Sequence, residues 1–304
     1  MIRIAREEEK QIIEKQWREI FAHDDHGHSD FYFKLAYQAN QSYVLANDQD
    51  EIIACCQVHT HTLDFNGKPL QASFIVGVYT LPSERNKGYM KQLLTEVIDI
   101  CSHKDLFTLI QAYLPNLYTP YGFEKVYQRQ TLILQANQIP VMSPMGVSSH
   151  YSTDQLYEVY QKFTSHFTGY IHRSKLDFTH LQQEVSAQQG KILTYQKNGI
   201  VEAYACVFAH TDIVEVDELV YENATALLSI LSALSNLQLP LHISVSIKED
   251  LKKILPMASF EVQDYTSVRL NDVALFNELF KVHVKSAQEA FLLAKKPLWL
   301  RENQ

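Results

Sequence analysis

The sequence predicts an α/β protein built from two successive units of the same architecture. Its length of 304 residues fits two domains of about 150 residues each. In each half, two helical patterns precede a β-rich meander, which is followed by another helix and a strand. Each meander contains an Asn-Gly pair, at 66–67 and at 198–199, the strongest short signal for a hairpin turn. We therefore expect mixed, mostly antiparallel sheets flanked by helices.

The first unit begins with a short strand and an amphipathic helix at 6–22, whose apolar residues recur at helical spacing behind an acidic first turn. A second short helix is predicted at 31–39. Three β-rich runs follow, and after them a helix with one apolar stripe, a buried strand and a last strand. These six segments are 42–48, 51–65, 68–82, 87–104, 106–114 and 124–135.

The second unit follows a stretch with prolines, serines and little periodicity, which predicts a linker at 137–152. We expect a first domain at 1–136, a second domain at 153–275 and a C-terminal helical tail at 276–304. Within the second domain, helices are predicted at 155–167, 174–188 and 223–236. Strands are predicted at 191–198, 200–210, 212–221 and 241–246.

Charge and cysteine content limit the classes of function. The formal net charge of −8 argues against nonspecific binding of nucleic acid or an anionic membrane, and it is compatible with a cationic substrate. No stretch of about 18 apolar residues occurs and the N-terminus soon turns acidic, so we expect neither a signal peptide nor a membrane span. The cysteines lack metal-ligand spacing, which predicts buried, reduced thiols and a cytoplasmic protein. They are Cys55, Cys56, Cys101 and Cys206.

The most informative stretch is VGVYTLPSERNKGYMKQLL, residues 76–94, where a strand passes through a tight loop into a helix. Free amides at a helix N-terminus attract anions, and Arg85 and Lys87 add positive charge. Gly88 would allow a phosphate to approach the backbone closely. The alternative is an ordinary turn with solvated charges, since neither the GxGxxG nor the GxxxxGK[ST] pattern occurs.

Two linked motifs carry a resemblance to a known family. RNKGYM at 85–90 resembles the R/Q-x-x-G-x-G/A pyrophosphate motif of the GCN5-related N-acetyltransferase (GNAT) superfamily. NLYTPYGFEKV at 116–126 resembles its Y-x-x-x-G-F element. Met90 departs from the small residue of the first motif, as in the enhanced intracellular survival (Eis) branch. Segments similar to the middle domain of that branch are 168–178, 214–231 and 267–276, so the resemblance covers about residues 1–275.

The resemblance implies a GNAT-type fold in both units and direct acetyl transfer from acetyl-CoA to a primary amine. It implies that the backbone of Val78, Tyr79 and Thr80 binds the pantetheine arm. It also implies that Tyr118 protonates the departing thiolate, a role worth about 10²–10⁴ in rate for a positioned acid. An alternative for Tyr118 is an amphipathic ring that caps the core. The residues expected at the phosphates are Arg85, Asn86, Lys87, Gly88, Tyr89, Met90 and Lys91.

The acidic charge and the Eis resemblance favour a cationic acceptor, namely an aminoglycoside, a polyamine or a lysine side chain. A rival hypothesis is a catalytically silent acyl-CoA-binding or scaffolding protein, with KKPLWL at 295–300 as an exposed partner surface. A homo-oligomer is also expected, from the Eis resemblance and from the apolar segment EAFLLAKKPLWL at 289–300.

Several groups are candidates for the base that takes the proton of the amine. The run QASFIVG at 71–77 contains no carboxylate. Eis-like proteins use a C-terminal carboxylate from a third, sterol-carrier-like domain, for which we expect this chain to be too short. A role for Gln304 therefore competes with a free, frayed terminus. His59 and His61 alternate on one strand and share a face, either as proton acceptors or on a solvated sheet surface.

The loop after the first helix concentrates histidines and carboxylates. Metal binding there is conceivable from the residue types, but the spacing matches no zinc signature, so we expect a solvated loop and no metal. The residues are His23, Asp24, Asp25, His26 and His28.

The corresponding turn of the second unit has neither a glycine nor a basic residue. It contains Glu222 and Asn223, and Asn223 is expected to cap the next helix. The sequence thus predicts a second unit without the cofactor loop, serving as a wall of the acceptor site or as a packing partner.

Overall fold

Strands and helices follow one another along the chain much as expected. The computed structural model describes residues 1–21, 27–112 and 114–301. Its strands are β1 (Ile2–Ile4), β2 (Ser42–Ala46), β3 (Ile52–Phe65), β4 (Lys68–Thr80), β5 (Phe107–Ile110), β6 (Glu124–Leu134), β7 (Val147–Ser148), β8 (Lys191–Lys197), β9 (Ile200–Ala209), β10 (Val214–Tyr221), β11 (Leu241–Ser246) and β12 (Ser259–Leu270). Its α-helices are α1 (Lys10–Phe21), α2 (His28–Phe31), α3 (Tyr89–Lys104), α4 (Thr153–Thr164), α5 (Lys175–Ala187), α6 (Ala224–Ser235), α7 (Val273–Phe280) and α8 (Ala287–Leu292).

The second helical segment differs from the predicted one. It starts earlier than the expected 31–39, because α2 begins at His28 and continues as a π-helical turn over Tyr32–Ala36. Both predicted hairpin turns are confirmed, since Asn66-Gly67 joins β3 to β4 and Asn198-Gly199 joins β8 to β9. Both residues of each pair have positive φ, as a type I′ turn requires.

The chain divides into two compact units. The first contains residues 1–127, 265–295 and 300–304, and the second contains 128–264 and 296–299. In the first unit, the sheet runs β1-β2-β3-β4-β5 and continues with the C-terminal end of β12. Neighbouring strands are antiparallel, with the exception of β4 and β5, which are parallel and are connected through α3.

The second unit repeats this plan. Its sheet runs β6-β11-β10-β9-β8-β7, with β10 parallel to β11 and antiparallel pairing elsewhere. The short strand β7 comes from the segment predicted as a linker and pairs with β8. The architecture of two similar mixed, mostly antiparallel units confirms the predicted fold class.

The closing strand of each unit comes from the other half of the sequence, which the predicted boundaries did not foresee. We expected the strand at 124–135 to close the first unit, but β6 pairs with β11, with Leu134 opposite Leu241. The strand that pairs with β5 is β12, with Leu270 opposite Phe107. Each closing strand is antiparallel to its neighbour, and the two strands occupy equivalent positions in their sheets. The alternation of apolar and polar residues along a strand therefore does not predict which of the two sheets it joins.

The C-terminal helices pack in the first unit and not as a separate tail. The rings of Phe276 and Phe291 lie 5.9 and 5.0 Å from the ring of Phe65 on β3. The hairpin residue Asn66 accepts a hydrogen bond from the backbone of Lys295 at 2.7 Å. Residues 276–295 therefore belong to the core of the first unit.

The apolar segment 289–300 is largely covered by the chain itself. Phe291 and Leu300 are buried, and Trp299 packs in the second unit against Tyr160 and Phe163. Leu292 remains 83% exposed. The expected homo-oligomer stays a prediction, but the apolar surface that suggested it is smaller than the sequence implied. In the KKPLWL segment of the rival hypothesis, Lys295 and Lys296 are exposed as expected, whereas Trp299 and Leu300 are buried and do not form part of an exposed surface.

The sheet of the first unit has two differently packed faces. We call the side covered by α3 the α3 face; its core includes Ala54, Cys56, Ile75, Leu94 and Val97. We call the opposite side the Trp17 face; its core includes Ile13, Trp17, Tyr32, Cys55 and Tyr79. Because β3 alternates, Cys55 and Cys56 point to opposite faces.

Two further predictions from the sequence are that the cysteines are buried, reduced thiols and that no segment spans a membrane. All four cysteines are free and buried, as predicted. Burial raises the pKa of the Cys55 thiol to about 12, so that thiol is protonated at neutral pH. Among the described residues, no helix combines the length and the apolar character that crossing a bilayer requires.

Candidate active site

A β-bulge at Gly77 shapes the end of β4. Val76 lies opposite Gln57 and Tyr79 lies opposite Cys55, so two residues of β4 face one residue of β3. Gly77 has φ +58°, and a Cβ there would lie 1.9 Å from a ring carbon of Trp17. Only glycine therefore fits this position without displacing the core. The bulge directs Val78 to the α3 face while Tyr79 stays on the Trp17 face.

Beyond the bulge, β4 has a strand on one side only. Its parallel pairing with β5 ends at Ile75 opposite Ile110, whereas its pairing with β3 continues to Thr80. Residues 76–80 thus present backbone groups along an edge that β5 does not cover. An extended ligand with amide groups can pair with such an edge as an added strand does.

The loop at 85–88 leads into α3 with its backbone open to solvent. The Arg85 side chain donates to the carbonyl of Thr80 at 3.4 Å, and Lys87 forms an ion pair with Glu84 at 3.1 Å. Gly88 is the N-cap of α3 with φ +84°, and no side chain caps the helix. A Cβ at Gly88 would meet nothing within 4 Å. The first amides of α3 therefore face open space of the kind that an anion can occupy.

Met90, which departs from the motif, is accommodated by the core. Its side chain and that of Tyr89 are half-buried and pack on the α3 face. A large residue at position 90 therefore fills the core and does not occupy the open space beside Gly88.

Tyr118 lies in the irregular segment after β5, between two 3-10 turns. Its ring is 8% exposed and packs in the same α3-face cluster as Val78, Tyr89 and Met90. Burial raises the pKa of Tyr118 to about 12, so its hydroxyl is protonated at neutral pH. Within the described chain, that hydroxyl donates to no other group, which leaves the proton free for a ligand.

These elements form the strand, loop and helix arrangement of a known domain. Residues 1–126 match the family model of the acetyltransferase (GNAT) domain. The first unit is a GNAT acetyltransferase domain. The activity that this family model describes is acetyl transfer. No curated protein matches the sequence.

Solved structures of other GNAT proteins share the fold over most of the chain. A GCN5-related N-acetyltransferase from Anabaena variabilis is 16% identical with a TM-score of 0.77, over 91% of this chain and 74% of that one. One from Kribbella flavida is 14% identical with a TM-score of 0.73, over 91% and 73%. Eis1 from Mycobacterium abscessus is 16% identical with a TM-score of 0.70, over 91% and 75%. The fold of both units is therefore that of GNAT structures, including an Eis protein.

Within the GNAT domain, the side chains of the segment expected to bind the pantetheine arm point to both faces of the sheet. Val78 points to the α3 face, whereas the Tyr79 ring is buried on the Trp17 face and its hydroxyl donates to Gln16 at 2.8 Å. Tyr79 can therefore offer only its backbone to a ligand. The predicted contact of residues 78–80 with the pantetheine arm therefore stays one that backbone groups would make.

The histidines of β3 lie on the Trp17 face of the GNAT domain. His59 and His61 are half-buried, with ring centroids 6.4 Å apart. The hydroxyl of Tyr32 lies 3.1 Å from Nε2 of His59. The expectation of a shared face is confirmed. Both side chains are partly exposed, so the alternative of a solvated sheet surface stays open, although the ring of Tyr32 from the π-helical turn stacks on that of His59.

Two other predicted groups cannot be placed. Gln304 and the loop residues His23, Asp24, Asp25 and His26 lie outside the described residues. Of the candidate metal loop, the structure describes His28, whose ring stacks on Tyr32 with centroids 6.4 Å apart.

Sequence reasoning missed three residues of this region. Gly77 could have been noticed as an isolated glycine in a β-rich run, which often marks a bulge. Gln57 is fully buried against it, and its Oε1 accepts no hydrogen bond from the described residues. Tyr32 carried no signal, because it meets His59 only through the tertiary fold.

The second unit lacks an equivalent loop. At the start of α6, the side chain of Asn223 accepts a hydrogen bond from the amide of Ala226 at 2.9 Å, which confirms the predicted cap. Glu222 beside it pairs with Lys162 at 2.8 Å. A capped helix start next to a carboxylate disfavours anions, in contrast to the start of α3.

Proposed function

We propose that the chain transfers an acetyl group from acetyl-CoA to a primary amine of a cationic acceptor. The observation that carries the proposal is the combination, in one GNAT domain, of the uncapped start of α3 after Gly88 with the uncovered edge of β4. The first suits a diphosphate and the second suits the amide groups of a pantetheine arm. Open space at Gly88 supports the fit, since an added Cβ would project into it.

The residues predicted to bind the cofactor and Tyr118 then have roles that their positions allow. The backbone of Val78, Tyr79 and Thr80 pairs with the arm, and residues 85–91 receive the phosphates. Arg85 and Lys87 are exposed and supply positive charge at the same loop. Tyr118 donates its proton to the sulfur as the carbon–sulfur bond breaks, which stabilises the leaving thiolate.

The acceptor class rests on electrostatics and on the Eis-like fold. A net charge of −8 favours the approach of cations, so an aminoglycoside, a polyamine or a lysine side chain is the expected acceptor. The same charge disfavours nucleic acid and anionic membranes as partners. Four buried, free thiols support a cytoplasmic location.

The proposal is tested by thiol release and by calorimetry. Free CoA thiol should appear when acetyl-CoA is mixed with the protein and an aminoglycoside, spermidine or a lysine-containing peptide. Calorimetry with CoA should give one site per chain, because the capped start of α6 offers no second one. Tight CoA binding without turnover on any amine would instead support the silent acyl-CoA-binding alternative. Two equivalent sites would contradict the assignment to the loop at 85–91.

Replacing Gly88 by valine should weaken CoA binding by on the order of tenfold or more. The valine side chain would fill the space at the start of α3 and keep the phosphates away from the helix N-terminus. Such a contact contributes up to ~2 kcal/mol of binding free energy. A loss of about 1.4 kcal/mol corresponds to a tenfold weaker affinity. Gly67→Val is the matched control, because Gly67 also has positive φ and open space around its Cβ position but lies in the β3–β4 hairpin. Equal losses of affinity in both variants would show that backbone strain, and not a phosphate site, is responsible.

A further inference from the structure

The sheet of the second unit splits between β10 and β11, as the sheet of the first unit splits between β4 and β5. The parallel pairing of β10 with β11 ends at Val216 opposite Ile243, whereas β10 continues along β9 to Tyr221. β11 meanwhile continues along β6 to Ser246. A β-bulge follows Val216 in β10, as one follows Val76 in β4. The second unit therefore keeps the split sheet of the first, although the start of α6 is capped.

A buried carboxylate bridges the ends of the two separating strands. Glu249 accepts a hydrogen bond from the hydroxyl of Tyr221, at the end of β10, and another from the backbone amide of Ser246, at the end of β11. Both bonds are 2.8 Å long, and Glu249 is 6% exposed. The two strand ends are thus tied together by a side chain of the second unit itself.

The chain's own segment 296–299 lies at the same end of this sheet. The hydroxyl of Ser246 donates to the carbonyl of Leu298 at 2.8 Å. The ring of Trp299 packs on α4 against Phe163, whose ring lies 5.4 Å from that of Tyr221. The segment therefore lies where β10 and β11 separate, on the side that α4 covers. The corresponding end of the first sheet is the one at which we propose that acetyl-CoA binds.

Residues 296–299 are held in the way that a domain holds an extended peptide. They belong to no helix and no named strand. Leu298 forms a parallel β-bridge with Thr168, in which the amide of Thr168 donates to the carbonyl of Pro297 at 2.9 Å. The amide of Trp299 donates to the carbonyl of Thr168 at 3.0 Å. Backbone pairing combined with a pocket for one side chain is a common mode of peptide recognition.

Trp299 is the anchor of this segment. Its side chain is 2% exposed, whereas residues 295–297 before it are exposed. Three aromatic rings of the second unit form its pocket, with centroids 5.4–6.4 Å away: Tyr160, Phe163 and Phe167. Lys296 adds a hydrogen bond to the carbonyl of Ser165. A buried tryptophan beside exposed neighbours is where binding energy concentrates, so most of the affinity should depend on this ring.

We infer that the second unit is a peptide-binding domain, that its ligand is the chain's own segment 296–299, and that Trp299 anchors this ligand. The class of ligand is an extended peptide with a basic residue and, three positions later, a tryptophan. This inference goes beyond the proposed acetyl transfer and does not depend on it. It gives the second unit a role of its own at the place where the first unit is proposed to bind its cofactor.

The test makes the segment a separate peptide after the chain has folded. A protease site is inserted between Lys295 and Lys296, where the side chains are exposed and cleavage is accessible. After cleavage, the peptide of residues 296–304 should stay with the protein through gel filtration. A fluorescent synthetic peptide of the same sequence should exchange into the cut chain, with a rise in anisotropy that saturates. The uncut chain should not bind that peptide, because its own segment fills the site.

Two variants of the segment separate anchoring from general packing. In the cut chain, Trp299→Ala should release the peptide at least tenfold faster than wild type, since the aromatic pocket loses its occupant. Pro297→Ala is the matched control, because the Pro297 side chain is exposed and the variant keeps the carbonyl that Thr168 contacts. In the uncut chain, Trp299→Ala should lower Tm by about 5 °C or more and Pro297→Ala should change it little.

A second measurement applies if the inserted site prevents folding. The labelled wild-type peptide should then bind to uncut Trp299→Ala, whose weakened segment gives way, and not to the uncut wild type. Loss of the peptide from the cut wild-type chain during gel filtration would overturn the inference. Equal release from wild type and Trp299→Ala would do the same, because the ring would then not be the anchor. Thiol release with amines is measured separately, so failure of the proposed acetyl transfer would leave these results unchanged.

Discussion

Turnover should fall about 10²-fold or more when Tyr118 is replaced by phenylalanine, because the variant keeps the ring but loses the proton donor. The hydroxyl makes no hydrogen bond within the described chain, so its removal should change neither the stability of the protein nor the packing of the α3 face. Since the pKa of Tyr118 is raised to about 12, the wild-type hydroxyl stays protonated in the assay range. Steady-state kinetics at saturating acetyl-CoA measures the effect on kcat.

Tyr121→Phe is the matched control for that experiment. Tyr121 packs against the same core cluster and is half-buried, but it lies three residues further along the loop. We expect nearly wild-type turnover for this variant. Full activity in Tyr118→Phe would show that solvent protonates the thiolate. A loss of CoA affinity with unchanged turnover would assign the hydroxyl to binding.

The largest expected effect on stability lies in the second unit, at a buried ion pair. Arg173 donates both guanidinium ends to the carboxylate of Glu218, at 2.8 and 2.9 Å. Glu218 is 1% exposed and also accepts a hydrogen bond from Tyr204. The guanidinium carbon lies 4.9 Å from the ring centre of Tyr160. These contacts satisfy both charges inside the core.

Replacing Arg173 by methionine should lower the free energy of unfolding by about 3–5 kcal/mol, because it leaves the Glu218 carboxylate buried without its cation. Denaturant unfolding of the full chain measures the loss. The double variant Arg173→Met with Glu218→Leu should be less destabilised than the single one, since no unpaired charge remains.

An exposed ion pair in the same unit provides the control. Lys175 and Asp154 are 2.8 Å apart, with 62% and 58% of their side chains exposed. Water screens such a pair, so Lys175→Ala should change stability little. If Arg173→Met cost no more than this control, the buried pair would not support the fold of the second unit.

Much of the candidate site could be predicted because its signals are local. The loop at 85–88 places charge and a glycine directly before a helix, and that order survives in the structure as an uncapped N-terminus. Asn223 was recognisable as a cap because a cap acts on an amide three residues away. Tyr118 was found through its spacing from Gly122 and Phe123, and the structure adds that its ring packs with Val78.

The rest of the site depends on contacts between distant residues. Gly77 is required by the ring of Trp17, which is sixty positions earlier in the sequence. One partner of His59 is Tyr32, which comes from a helical turn whose contacts no local pattern encodes. The two faces of β4 beyond the bulge were also unpredictable, because one extra residue reverses the alternation on which such predictions rely.

The sequence by itself determined the two hairpins, the cap of α6, the loop at 85–88 before α3 and the repeated order of elements. Each depends on dihedral preferences and hydrogen bonds that act within a few residues. Only the tertiary structure decided that β12 closes the first sheet and β6 the second, and that the C-terminal helices complete the first core. The two closing strands could each pair with the edge of either sheet. Which pairing forms depends on the total apolar surface that the whole strand and the segments after it bury, and no local sequence pattern contains that total.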